Sequence, residues 1–108
     1  MYEYITPMVD PVEQSKALAS EARLSILQWL SAPERHFAHQ ITGAPEEIGV
    51  CVTLIAKKLG MAQPTASRHL EVLRRAGFLS PTKIGRWSFY RRDEDAILAY
   101  KEWLNDRL

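Results

Sequence analysis

Apolar positions along this chain recur at helical spacing in several separate blocks. In CVTLIAKKLG, residues Val52, Ile55, Ala56 and Leu59 fall at i, i+3, i+4 and i+7, while Lys57 and Lys58 point away. Gly60 supplies a sharp turn. About three residues later a second block opens, in which Ala66, Leu70, Leu73 and Gly77 make a stripe and Pro64 suits the first turn. Gly77 reads as a C-terminal stop. Upstream, Asp10 can cap a helix that opens with Pro11 and runs to about Ala19, and Ser20 can cap EARLSILQWL, where Leu24, Leu27, Ile26 and Leu30 sit at helical spacings. Downstream, DEDAILAYKEWLNDRL has acids at its positive end and an apolar face of Ile97, Tyr100, Trp103 and Leu104.

Between the last two helices, FLSPTKIGRWSFYRR is rich in β-branched and aromatic residues around Gly85. It predicts two short strands joined by a hairpin, with Trp87, Phe89 and Tyr90 as core and strand residues. Residues 31–50 contain two prolines and two glycines and no sustained period. Such a long connection in a small domain tends to be functional or mobile. Residues 1–8 read as an arm.

Two helices joined by a tight glycine turn and followed by a hairpin predict a winged helix-turn-helix, a mainly α fold with a small β-hairpin wing. Residues 1–108 form one domain in this reading. The helix-turn-helix covers 51–77, the wing 78–92, and terminal helices lie at 9–19 and 93–108. A small residue at Ala56 where the helices cross, with glycine at 60, is what the motif requires.

Charge sharpens the picture. The chain carries a net charge of only +1, yet residues 57–92 hold 9 of its 14 Lys and Arg and 1 of its 13 Asp and Glu. Such segregation favours a polyanionic partner. If Ala66, Leu70 and Leu73 face inward, then Thr65, Ser67 and Arg68 face outward near the end of the helix that enters a major groove. Thr65 and Ser67 are short enough for close approach, Gln63 can pair with an adenine edge, and Arg68 can reach a guanine edge or a phosphate. His69 sits at the stripe's edge, either a base contact or a hydrogen-bonded structural histidine. Arg74 and Arg75 are either contacts or a solvated face. Lys83 and Arg86 flank Gly85 at the wing tip, placed to meet a phosphate backbone or minor groove, and Arg91 and Arg92 either bind phosphates or pair with the acids from Asp93 onward.

Other classes find less support. No carboxylate pair, nucleophile–base set or phosphate-cradling glycine loop appears, so no enzyme and no cofactor is expected. A winged helix that binds protein instead of DNA is the alternative reading. No apolar run approaches the ~20 residues that span a bilayer, and MYEYITPMVD lacks the features of a signal peptide, so no membrane partner and a cytoplasmic location are expected. Cys51 is the only cysteine and reads as a small buried apolar residue. His36 and His39, with Cys51, form a weak candidate metal site of loose spacing.

LASEARLSILQWL, AKKLGMAQPTASRHLEVLRRAGFL and IGRWSFYRRDE together resemble the ArsR/SmtB family of bacterial transcriptional repressors, over roughly residues 12–104. The resemblance implies a homodimer joined through the first and last helices, with Ile97, Tyr100, Trp103 and Leu104 at the interface. It also implies a palindromic double-stranded operator and release by a metal or small-molecule inducer. The family's arsenic- and cadmium-type sensors carry Cys-Val-Cys-Asp where this chain has Cys51, Val52, Thr53 and Leu54. One thiolate of two is retained, and soft metals need several sulfur ligands. The zinc-type site, built on the last helix from Asp and His, lacks its histidine here.

Overall fold

The computed structural model describes residues 9–108, and the arm expected over residues 1–8 lies outside the described residues. Helix α1 spans Pro11–Ala17, α2 Glu21–Leu30, α3 Pro33–His36 and α4 Pro45–Ile48. Strand β1, Val50–Cys51, leads directly into α5, Val52–Leu59, which is followed by α6, Gln63–Arg75. Strands β2, Leu79–Ile84, and β3, Trp87–Arg92, form the hairpin, and α7, Glu94–Asn105, closes the described chain.

The helix starts follow local chemistry. Asp10 accepts a hydrogen bond from the Val12 N–H, Ser20 from that of Arg23, and Asp93 from that of Ala96. Each satisfies a donor that the first helical turn leaves free. The terminal helices are shorter than the 9–19 and 93–108 expected, because Leu18 and Asp106 already serve as C-caps.

Two departures concern the connection. It contains two single-turn helices, each opening on a proline, which are too short to show a period. It also ends in a strand: Val50 pairs with Tyr90 and Cys51 with Phe89, so the sheet has three antiparallel strands in the order β1-β3-β2. Cys51, expected to open a helix, is the last residue of β1 and the N-cap of α5.

The core lies where α2, α5, α6 and the base of the sheet converge. Ile26, Ile55, Leu70 and Leu73 are fully buried, with Phe37, Phe78 and Phe89 filling the bulk. Side chains of this kind contribute roughly 1.5–3 kcal/mol each when removed from water. Outward positions of the same helices are polar, and this division orients α6. Gln14, itself buried, ties α1 to the end of α6 by donating to the Ala76 carbonyl at 2.8 Å.

Candidate nucleic-acid interface

The turn before α6 is built from backbone. Gly60 adopts φ 69° and ψ 31°, a left-handed conformation that glycine tolerates best. Its N–H donates to the Lys57 carbonyl at 3.1 Å, and the Met61 N–H reaches back to the Ala56 carbonyl at 3.0 Å. Ala56 is buried at the crossing, where a larger side chain would force the helices apart.

Helix α6 then begins without a side-chain cap, because Ala62 at the N-cap offers no acceptor. Its leading backbone N–H groups carry the positive end of the helix dipole outward. Ala66, Leu70 and Leu73 are fully buried. Gln63 and Arg68 are exposed, and Thr65 and Ser67 are half-buried. The three residues expected to face outward are therefore accessible in the first turns of α6, as is Gln63, the expected adenine contact.

His69 does not belong with them. Its Nδ1 lies 3.0 Å from Arg23 Nη1. A guanidinium can only donate, so Nδ1 accepts and the imidazole is neutral. Burial, then the charges of Arg23 and Arg68, holds its pKa below the ordinary histidine value. Arg23 in turn donates to the Ala17 carbonyl at 2.6 Å. His69 is thus a buttress between α6 and α2.

Glu71, the acid within the basic segment, is the partner of both following arginines. Arg74 makes two bonds to it, of 2.8 and 2.6 Å, and Arg75 one of 2.9 Å. The Arg74 bonds foremost, with Arg75 adding, hold its carboxyl down at about 2. Spacing of i+3 and i+4 on one helix carries this pairing, a signal visible in the sequence. Arg91 donates to the Glu47 carbonyl, and Arg92 to Leu27 and Glu94. The ion pairs among the described residues thus engage Lys16, Arg74, Arg75 and Arg92 and leave out Arg68, Lys83 and Arg86.

In the wing, Lys83 and Arg86 are exposed on either side of Gly85. Phe89 is core, as expected, but Trp87 is not: it is 45% exposed and paired across the hairpin with Ile84, 40% exposed. On α7, Ile97 and Tyr100 are buried within the protomer itself. Tyr100 lies edge-on to Phe78 and its hydroxyl shares a 2.8 Å hydrogen bond with Ser15 of α1. The surface beside them offers half-buried Trp103 and Leu104, with Leu98 and Val12 more exposed.

A family profile described as bacterial regulatory protein, arsR family, matches residues 50–80, from β1 through the start of the wing. An HTH-type transcriptional regulator of Bacillus subtilis, YbzH, is 45% identical over 100 residues, covering 93% of this chain and all of that one. The chain belongs to the ArsR family of bacterial transcriptional regulators. The arsenical resistance operon repressor of Escherichia coli is 37% identical over 82 residues, spanning 75% of this chain and 57% of the repressor. The solved homodimeric winged helix-turn-helix DNA-binding domain Mb0332 of Mycobacterium bovis superposes with TM-score 0.61 at 27% identity, covering 89% of this chain and 76% of that one. An ArsR family transcriptional regulator, RHA00566, shares the fold with TM-score 0.68 at 22% identity over 94% and 92% of the two chains.

In this ArsR-family chain the weak metal candidates do not converge. His36 and His39 line a shallow hollow with Phe37, Leu54, Lys57 and Lys58, where two ammonium groups oppose a cation. Lys58 lies over the Trp29 and Phe37 rings. Cys51 is buried in β1, its sulfur 3.1 Å from the Thr53 hydroxyl. Among the described residues no three His, Cys, Asp or Glu side chains gather to hold a metal ion, and no helix is long and apolar enough to cross a membrane.

Proposed function

We propose that this regulator is a homodimeric repressor that binds a palindromic operator in duplex DNA and is released by an inducer. The observation that carries the proposal is the outward side of α6: Gln63 and Arg68 exposed, Thr65 and Ser67 beside them, and a fully buried stripe behind. The stripe fixes the helix on the core, so the polar residues project from a rigid support. Gln63 and Arg68 read base edges, while Thr65 and Ser67 allow close approach. Lys83 and Arg86 meet phosphates beside the groove, and His69 acts by bracing α6.

Dimerisation through α1 and α7 would place two copies of α6 in successive major grooves about 34 Å apart. The M. bovis homodimer supports this assembly, and the exposure of Val12 and Leu98 supplies apolar surface for it, joined by Trp103 and Leu104. Repression follows the role of the E. coli relative. An inducer that favours a dimer with misplaced helices would weaken DNA binding by its differential affinity. The reading is of a cytoplasmic DNA-binding regulator, with neither catalysis nor a cofactor.

Equilibrium binding to a duplex selected by the protein from a randomised pool, set against a scrambled duplex over a range of salt, tests this. Phosphate contacts require log affinity to fall steeply with log salt. Arg68→Ala should weaken the selected duplex by about 1–3 kcal/mol and the scrambled one far less. An equal loss on both demotes Arg68 to a phosphate contact. Failure to bind any duplex at low salt overturns the proposal in favour of a protein-binding module.

A further inference from the structure

The hairpin tip holds an apolar pair that folding does not require. Ile84 and Trp87 form the last cross-strand pair before the Gly85–Arg86 turn. They lie on the same face of the hairpin as Thr82 and Phe89, since paired residues and every second residue along a strand share a face. That face is core only at Phe89, which is 1% exposed, while Thr82, Ser80 and Arg91 on it are exposed. It continues past the edge of the core to the tip, where Trp87 and Ile84 stand 45% and 40% exposed.

Three features on the same strands narrow what can cover it. Lys83 and Arg86 are exposed neighbours of the pair, and the Arg86 guanidinium lies 5.9 Å from the centre of the Trp87 ring. A cationic rim around an apolar tip repels another copy of itself and attracts a polyanion. Strand β2 is at the sheet edge, and Pro81 within it removes a ladder donor, which discourages strand-to-strand docking of another chain. The indole N–H is a donor without acceptor capacity, suited to the acceptors on the floor of an A·T minor groove.

We propose that Ile84 and Trp87 are an apolar wedge that enters the minor groove of the bound duplex and partly unstacks a base step, with Lys83 and Arg86 on the flanking phosphates. The proposal rests on the DNA-binding reading above and adds to it. Part of the operator's specificity would then come from how readily a step opens, which favours flexible pyrimidine–purine steps at the position beneath the wing.

Parent protein, W87A and W87F are titrated with the selected duplex, with tryptophan emission and DNA bending recorded. Trp87 is at the surface, so both variants should fold. W87A is expected to bind roughly 5- to 100-fold more weakly, as for the loss of one stacked aromatic, and to bend the duplex less. W87F is expected to retain most of the affinity. The emission change seen when the parent binds DNA should be absent from W87F, since it arises at residue 87. Parent-like affinity and bending in W87A, or an undiminished emission change in W87F, overturns the wedge while leaving DNA binding by α6 intact. An emission change that tracks protein concentration without DNA assigns the tip to self-association and also overturns it. No duplex binding by the parent overturns both readings.

Discussion

Gly49 and Gly60 both have positive φ, and replacing each with alanine should have unequal consequences. Gly60 sits at φ 69°, and a Cβ added there meets nothing within 4 Å. Only the backbone conformation is penalised, about 1–2 kcal/mol for a left-handed residue, partly offset by about 0.4–1 kcal/mol from a less flexible unfolded chain. A net loss near 1 kcal/mol follows. Gly49 sits at φ 91° and ψ −177°, a region open essentially to glycine alone and costing about 1–3 kcal/mol. A Cβ there would also lie 2.8 Å from the Tyr90 carbonyl oxygen and 2.9 Å from its carbon. These are backbone atoms of β3, so relief requires β1 and β3 to separate. The clash adds to that conformational cost, so Gly49→Ala should lose about 3 kcal/mol or more and disturb the Val50–Tyr90 pairing. Urea unfolding at matched protein concentration measures both, since dimerisation makes stability concentration-dependent. Equal losses, or a larger one at Gly60, would refute the assignment of the cost at Gly49 to the close approach of β3.

Other outcomes follow from the interface. Glu71→Gln should release Arg74 and Arg75 and steepen the salt dependence of DNA binding by about 1–2 in slope; an unchanged slope shows that both arginines face away from the duplex. His69 resists protonation more when folded than when unfolded, so the unfolded state binds the proton first as pH falls below the ordinary value of 6.5. Stability contributed by His69 is present above that pH and is lost as pH falls through the lower folded value. Denaturation midpoints should drop in this window for the parent and less for His69→Gln, and parallel curves would remove His69 as the cause. Leu98→Glu should yield a folded monomer in sedimentation and weaken operator binding sharply; a dimer that survives it places the interface elsewhere.

Much of the fold was legible because its signals are local. The Ala66, Leu70 and Leu73 stripe, the Gly60 turn, the Asp10, Ser20 and Asp93 caps and the strands around Gly85 each depend on residues within a few positions of one another. The outward placement of Thr65, Ser67 and Arg68 followed from that stripe by helical geometry alone. The Glu71 pairing with Arg74 and Arg75 was equally readable and was not drawn from the sequence.

What required the tertiary structure depends on partners distant along the chain. Strand β1 is two residues long and exists because Val50 and Cys51 meet Tyr90 and Phe89, a pairing with no local trace. His69 became a buttress because Arg23 packs beside it from α2. Ile97 and Tyr100, expected at a dimer surface, are buried within the protomer, where Phe78 and Ser15 receive the Tyr100 ring and hydroxyl. Trp87 shares the pattern of a core residue, and its exposure depends on where the core ends along the hairpin. Periodicity assigns a side chain to a face of its own element; only the packing of the elements determines whether that face meets the core, another protomer or solvent.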